Sequence, residues 1–180
     1  QAFERIATQG LPCTDFALAD SSADAVKVAQ DLECPVALKI SSPDIIHKSD
    51  AGGVCLNLDS AEAVEQAYDE LLAAVRKNSP EAQVDGVLVS KMAQPGLEVI
   101  IGMNRDPQFG PVILFGLGGI MVEIFQDVSL RLLPFSRGDA LDMIREIKGY
   151  GLISGYRGQP AVDEEALADC LLSMAQTAEN

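Results

Sequence analysis

The feature that most constrains the fold of this chain is a change of hydrophobic period near residue 86. Before it, two segments, residues 21–32 and 59–76, carry apolar residues at helical spacing. After it come short β-rich runs separated by turn residues: 86–92, 97–102 and 111–115. We expect these three runs to form an antiparallel sheet. The pattern indicates a mixed α and β fold without regular βαβ alternation.

Local signals place the elements of the first half. Residues 35–40 read as a strand, and residues 54–58 alternate apolar and polar side chains as a half-buried strand does, so we expect these two strands to pair. Ser21 or Ser22 is the expected cap of the first helix. Asp59, with Glu62 three residues later, gives a capping-box-like start to the second helix.

In the second half, a turn is expected at residues 104–107, and a glycine-rich loop at 116–119 precedes an apparent strand at 122–125. Because that loop does not open a helix, it is not the dinucleotide-binding GxGxxG fingerprint, and no GxxxxGK[ST] run occurs. Ser136 and Asp139 begin a helix to about residue 147, residues 149–158 form a loop, and Asp163 caps a last helix.

Composition excludes several classes of protein. The chain has 180 residues of which 48% are hydrophobic, enough for a sizeable core, and 27 acidic against 13 basic residues give a net charge of −14. That charge disfavours binding to nucleic acid or to an anionic membrane. We expect no transmembrane segment and no secretory signal. The four cysteines form no CxxC pair, so a reduced cytoplasm without zinc or disulfides is expected: Cys13, Cys34, Cys55 and Cys170.

The only histidine of the chain, His47, follows the strand that carries Lys39 and is itself followed by Lys48. Gly52 and Gly53 then allow backbone amides to approach an anion. This combination predicts a phosphate-handling site. An imidazole nitrogen can attack a γ-phosphate, and the phosphohistidine splits one transfer into two steps. The simpler alternatives are a loop histidine that hydrogen-bonds the backbone and a strand-end lysine that extends to solvent.

Several segments together resemble the nucleotide-binding domain of ADP-forming acyl-CoA synthetases, an ATP-grasp domain related to the β subunit of succinyl-CoA synthetase. Their order and spacing cover nearly the whole chain. The segments are PVALK at 35–39, IHKSDAGGV at 46–54, DPQFGPVI at 106–113, FGLGG at 115–119, VE at 122–123 and GYRG at 155–158. The resemblance implies an α+β, ATP-grasp-like fold with two lobes, approximately residues 15–92 and 93–180, each with mixed or antiparallel sheets flanked by helices.

The resemblance also implies roles for single residues. Ser90, Lys91 and Met92 match the hinge whose backbone reads the adenine edge, with the lysine near the phosphates. Glu98 matches a residue on the ribose and phosphate side, and Glu123 matches one that follows the glycine loop. As an alternative, both glutamates are solvated strand residues. A further residue of the GYRG segment, Arg157, fits a loop-pinning or subunit contact as well as a ligand contact.

The implied reaction converts acyl-CoA, ADP and phosphate into the acid, CoA and ATP. The principal phosphohistidine and the CoA site are expected on a partner alpha domain or subunit, and His47 is expected to relay the phosphoryl group to the nucleotide. In the family, Mg²⁺ is held by an Asn of an Ile-Asn-Pro run and by a later Asp. This chain has no Asn-Pro dipeptide. We therefore expect the metal ligands to lie outside it and the domain to be incomplete at both ends.

Two alternatives remain open at this point. One is a degenerate form of the same domain, fused to a lysine acetyltransferase, that senses a ligand without turnover. The other is a non-catalytic, nucleotide-responsive interaction module. Phosphorylation of the complete protein separates both from the synthetase.

Overall fold

The computed structural model describes residues 11–33, 35–119 and 126–179. Thr14–Gln94 form one compact unit, and the residues from Pro95 onward belong to a second one. Each unit contains one antiparallel sheet and its own helices. The expected α+β class with antiparallel sheets is therefore confirmed. None of the described helices is long and apolar enough to cross a lipid bilayer.

The sheet of the first unit has the strand order β1-β4-β2-β3, and all neighbouring strands run antiparallel. The predicted pairing of the strand at 54–58 with the strand at 35–40 is confirmed. The elements are β1 (Phe16–Ala19), α1 (Ser22–Asp31), β2 (Val36–Ser41), β3 (Val54–Leu58), α2 (Ala61–Asn78) and β4 (Gly86–Lys91).

Successive side chains of β2 point to opposite faces of the sheet, and one of these faces packs on the helices. Val36, Leu38 and Ile40 are at most 1% exposed and belong to one apolar cluster with residues of α1 and α2. Because successive side chains of a strand point to opposite faces, Lys39 lies on the face away from that cluster. The helices contribute Ala25, Ala29, Val64, Ala67, Tyr68, Leu71 and Val75.

Serine caps begin both helices of the first unit. Ser21 Oγ accepts a hydrogen bond from the amide of Asp24 at 3.2 Å, as expected. The predicted cap at Asp59 is wrong, because Ser60 Oγ accepts from the amide of Ala63 at 3.2 Å. The cap is thus the residue whose hydroxyl reaches the first turn.

The second unit has a three-stranded sheet of order β5-β6-β7. Ile113 and Phe115 of its central strand are completely buried with Met143 and Leu171 from the helices. The elements are β5 (Val99–Asp106), β6 (Gly110–Leu117), β7 (Val128–Leu132), α3 (Arg137–Glu146), α4 (Tyr150–Ile153) and α5 (Glu164–Glu179).

The predicted helix starts of this unit are confirmed. Ser136 and Asp139 form a complete capping box at α3, in which Asp139 Oδ2 accepts from the amide of Ser136 at 2.7 Å. Asp163 Oδ1 accepts from the amide of Ala166 at 3.0 Å at the start of α5. The region predicted as a loop at 149–158 contains the short helix α4.

The prediction of one sheet from three consecutive β-rich runs is wrong. The first run is β4, which pairs with β1 and β2 in the first unit, whereas the other two are β5 and β6, which join β7. β1 and β7 are strands that the sequence did not indicate. β5 also continues through Asp106, and the turn follows at residues 107–109. The strand predicted at 122–125 lies outside the described residues.

Candidate functional site

His47 lies on a turn that connects β2 to β3. Ile45 at the start of this turn is buried with 6% exposure, whereas the next residue, Ile46, is 82% exposed, and His47 is exposed as well. The turn closes where Gly53 O accepts a hydrogen bond from the amide of Ile40 at 2.8 Å. The histidine is therefore presented to solvent at the tip of a segment whose two ends are held by the sheet.

The two glycines of the turn have a packing role. A β-carbon on Gly53 would stand 2.5 Å from Cγ2 of Ile40, and Gly52, with φ of +71°, would place one 2.9 Å from Cβ of Ala74. Their amides donate within the turn, from Gly53 to Lys48 O at 2.7 Å and from Gly52 to Ser49 O at 3.0 Å. In this conformation neither amide is available to a phosphate, so phosphate binding by the pair stays a prediction.

The turn borders an open depression of about 400 Å³. Carboxylates, an amide and a hydroxyl line it beside the imidazole, so it can accommodate a polar group next to His47. Its lining residues are Asp44, Ile45, Ile46, His47, Asp50, Ala51, Asn78 and Ser79.

Lys39 lies at the base of the same turn. In the sheet it pairs with Val54 on one side and with Leu88 on the other, so it is one residue from the point where the turn closes. Among the described residues of its unit, it joins no ion pair. Lys48 instead directs its ammonium towards Ile45 O, over 3.5 Å. Phosphate binding by either lysine stays a prediction.

The predicted hinge lies at the end of β4. Ser90 is 7% exposed between Ala37 and Phe16 of the neighbouring strands. The amides of Lys91 and Met92 donate to Asp15 O at 2.9 Å and to Pro35 O at 3.0 Å, so neither is available as a donor to adenine. The Lys91 ammonium lies 3.9 Å from a carboxylate oxygen of the exposed Glu33, a solvent-exposed contact of the kind that contributes little to stability.

Glu98 belongs to the second unit, where it packs on the glycine-rich loop after β6. Its carbonyl accepts from the amide of Gly118 at 2.7 Å, and a β-carbon on Gly119 would stand 2.6 Å from its Oε2. A β-carbon on Gly118 would meet the backbone of Glu98 and Val99 at 3.0–3.1 Å. These contacts explain two glycines of the loop by close approach. The predicted ligand contact at Glu123 lies outside the described residues.

Asp127 has a structural role that no sequence motif indicated. Its two carboxylate oxygens accept from the amides of Lys148 at 2.8 Å and Gly149 at 2.7 Å, just before α4. The carboxylate is thereby committed to the backbone. Within residues 11–33, 35–119 and 126–179, no three His, Cys, Asp or Glu side chains come together to hold a metal ion.

Cys55 on β3 is a partly buried free thiol. Burial raises the pKa of its thiol, and the carboxylate of Glu70 raises that pKa further. Since the thiolate is the reactive form of cysteine, Cys55 is less reactive than an ordinary exposed thiol.

Comparison with known proteins agrees with this architecture. The ATP-grasp domain family matches residues 1–180. The β subunit of ADP-forming acetate–CoA ligase I from Pyrococcus furiosus is 46% identical over 178 residues, which are 99% of this chain and 77% of that subunit. ADP-forming acetate–CoA ligase I from Archaeoglobus fulgidus is 44% identical over 93% of this chain but only 24% of its own, longer chain.

A solved structure shows the same fold. Acetyl-coenzyme A synthetase 1 from Candidatus Korarchaeum cryptofilum, in complex with coenzyme A, Ca-AMPCP and HgCl⁺, superposes with a TM-score of 0.96 at 48% identity. The match covers 99% of this chain and 79% of that one. With a family match along its whole length and these relatives, the chain belongs to the ATP-grasp domains of ADP-forming acyl-CoA synthetases.

Proposed function

We propose that this chain is the nucleotide-binding, phosphoryl-transferring part of a nucleoside-diphosphate-forming acyl-CoA synthetase. The complete enzyme interconverts acyl-CoA, ADP and phosphate with the acid, CoA and ATP. The observation that carries this proposal is the 48% identity and TM-score of 0.96 over 99% of the chain to an acetyl-CoA synthetase solved with coenzyme A and a nucleotide analogue. The exposed position of His47 supports it, because a phosphoryl relay must be reached by both donor and acceptor.

His47 is the proposed nucleophile. A neutral imidazole nitrogen attacks the γ-phosphorus of ATP, the bond from phosphorus to the β,γ-bridging oxygen breaks, and ADP leaves with that electron pair. In the direction of ATP formation, an oxygen of the ADP β-phosphate attacks the phosphohistidine and the imidazole leaves as the neutral ring. Both directions conserve the phosphoryl group. The exposed turn gives the ring access to both partners.

The remaining site residues are proposed to bind the nucleotide. Lys39 and Lys48 neutralise phosphate charge, with Lys39 supported by its position at the base of the turn. Gly52 and Gly53 shape the turn that carries His47 and are proposed to lie beside the bound phosphates. The nucleotide contacts further along the chain are Ser90, Lys91, Met92, Glu98 and Glu123. Magnesium would neutralise phosphate charge when bound with ATP, but its ligands are expected outside this chain.

A partner domain completes the proposed enzyme. One relative is a β subunit and another is a longer chain of which this one covers 24%, which supports a CoA-binding alpha domain supplied either separately or in fusion. That domain would carry CoA, the acyl chemistry and the principal phosphohistidine. The net charge of −14 supports small-molecule and protein partners rather than nucleic acid or an anionic membrane, and we place the enzyme in the cytoplasm.

The test is phosphorylation of the complete protein with its partner by γ-labelled ATP. We expect acid-labile, alkali-stable label, the behaviour of phosphohistidine. His47→Asn should abolish the label while calorimetric nucleotide affinity persists, because the substitution removes the nucleophile and leaves the nucleotide pocket. Undiminished labelling of His47→Asn would contradict the relay. Nucleotide binding without any label in the unaltered protein would favour the degenerate, ligand-sensing form.

A further inference from the structure

We propose that Asp44 and Asn78 are positioning residues for His47. Each fixes one end of the turn that carries His47, so that the imidazole stays in the position that phosphoryl transfer needs. The inference rests on the proposed function, since it concerns the same histidine. The inference goes beyond the proposed function by assigning roles to two side chains other than Lys39, His47 and the glycines of the turn.

The first anchor is Asp44, which precedes the exposed tip. Its Oδ2 accepts a hydrogen bond from the backbone amide of Gln83 at 2.7 Å, across a sequence separation of 39 residues. The amide of Asp44 itself donates to Ser42 Oγ at 3.2 Å. Charge-assisted bonds of this length are among the stronger hydrogen bonds in proteins. The entry to the turn is therefore tied to the segment between α2 and β4.

The second anchor is Asn78, the last residue of α2. Its Nδ2 donates to Ala51 O at 3.2 Å, across 27 residues of sequence. The amide of Ala51 in turn donates to His47 O at 3.4 Å. Two consecutive hydrogen bonds thus lead from the end of α2 to the backbone of the histidine. The close approach of Gly52 to Ala74 brings the exit of the turn against the same helix.

Between these anchors Ile45 is buried in the apolar cluster, but the tip that follows it has little packing of its own. Ile46 is 82% exposed, and His47 is exposed. A solvent-exposed segment keeps one geometry only where its ends are fixed, because the loop otherwise regains conformational entropy. Misplacement of a reacting group by about 1 Å can reduce a rate by about 100-fold. The anchors are therefore expected to affect transfer and not the affinity for nucleotide.

Asp44 and Asn78 are themselves exposed, and neither belongs to the apolar cluster of the first unit. Their substitution should leave the core intact. This separates a positioning role from a general role in folding.

The experiment measures single-turnover phosphorylation of the complete protein with its partner, alongside the KM for ATP and the thermal midpoint. Asp44→Ala removes the acceptor, whereas Asp44→Asn keeps an oxygen at the same place. Asn78→Ala and the nearly isosteric Asn78→Asp both remove the donor. Gln66→Ala is the matched control, since Gln66 lies on α2 and its side chain donates to Glu70 in the same helix.

We expect Asp44→Ala, Asn78→Ala and Asn78→Asp each to lower the phosphorylation rate by about tenfold or more with KM for ATP unchanged within about twofold. Asp44→Asn should recover most of the rate, and Gln66→Ala should match the parent. Parent-like rates in folded Asp44→Ala and Asn78→Ala would overturn the proposal, as would failure of Asp44→Asn to recover. If His47→Asn still transfers phosphate, the proposed function itself fails, which is a separate outcome.

Discussion

Gly53 and Ile40 are in such close contact that a β-carbon on the glycine would stand 2.5 Å from Cγ2 and 3.2 Å from Cβ of the isoleucine. Ile40 is 1% exposed in β2, and its β-branched side chain has few alternative rotamers. It therefore cannot move aside at low cost. The glycine that the sequence associates with phosphate is required first by the packing of the turn on the sheet.

Gly53→Ala should lower the free energy of unfolding of the first unit by about 1–3 kcal/mol, the usual cost of overpacking a core. Native-state hydrogen exchange of the β2 amides measures this locally, because it reports the opening of this sheet alone. Faster exchange across Val36–Ser41 is the expected result.

A double-mutant cycle with Ile40→Leu identifies the contact as the cause. Leucine lacks the Cγ2 branch that the new β-carbon would meet, so Gly53→Ala should cost less in that background. Equal costs in both backgrounds would mean that the contact with residue 40 is not responsible.

Asp127→Ala should destabilise the second unit by about 1–3 kcal/mol, because it leaves the amides of Lys148 and Gly149 without their carboxylate acceptors. Asp127→Asn keeps one acceptor oxygen and should give an intermediate loss. Urea denaturation of the three proteins provides the comparison. An asparagine variant as unstable as the alanine variant would argue against the second hydrogen bond as a stabilising contact.

Acid should weaken the second unit through Glu164. The hydroxyl of Tyr150 donates to Glu164 Oε1 at 2.6 Å, and Arg145 Nε donates to Glu164 Oε2 at 3.0 Å. These hydrogen bonds hold the pKa of Glu164 below its usual value of 4.5, and the bond from Tyr150 has the larger effect. A carboxylate whose pKa is lowered by folding stabilises the native state above the unfolded pKa, and this stability is lost as pH falls through the folded pKa.

We therefore expect urea midpoints to decline from about pH 5 downwards, with a smaller decline in Glu164→Gln. The exposed Asp142→Asn on α3 is the control and should leave the slope of the decline unchanged. An unaltered slope in Glu164→Gln would contradict the assignment.

Lys39→Met should weaken the binding of ATP by about 10- to 100-fold and leave the binding of adenosine nearly unchanged, because the ammonium is proposed to neutralise phosphate. Calorimetric titration of the complete protein with both ligands measures the difference. Lys27→Met, at an exposed position of α1, is the matched control. Equal losses for ATP and adenosine would indicate a folding defect instead of a lost phosphate contact.

Elements whose signals are local could be predicted from the amino-acid sequence. Helix α3 and its capping box at Ser136 and Asp139 follow from residues within one turn of each other. The pairing of β3 with β2 follows from two runs, adjacent along the chain, that both read as strands. The resemblance carried by six ordered segments, one of them around His47, also identified the family.

The grouping of strands into two sheets and the contacts that hold the candidate site depend on long-range contacts, which the sequence did not predict. β4 joins β1 and β2 instead of the later strands. The sequence did not predict this, because hydrogen-bonded pairing between distant segments leaves no local sequence pattern. The turn of His47 is tied to distant residues by two hydrogen bonds, from Gln83 to Asp44 across 39 residues and from Asn78 to Ala51 across 27 residues. Asp127 likewise serves backbone amides that fall 21 and 22 residues later. Such contacts exist only once the chain has folded, because the donor and the acceptor carry no sequence signal for each other.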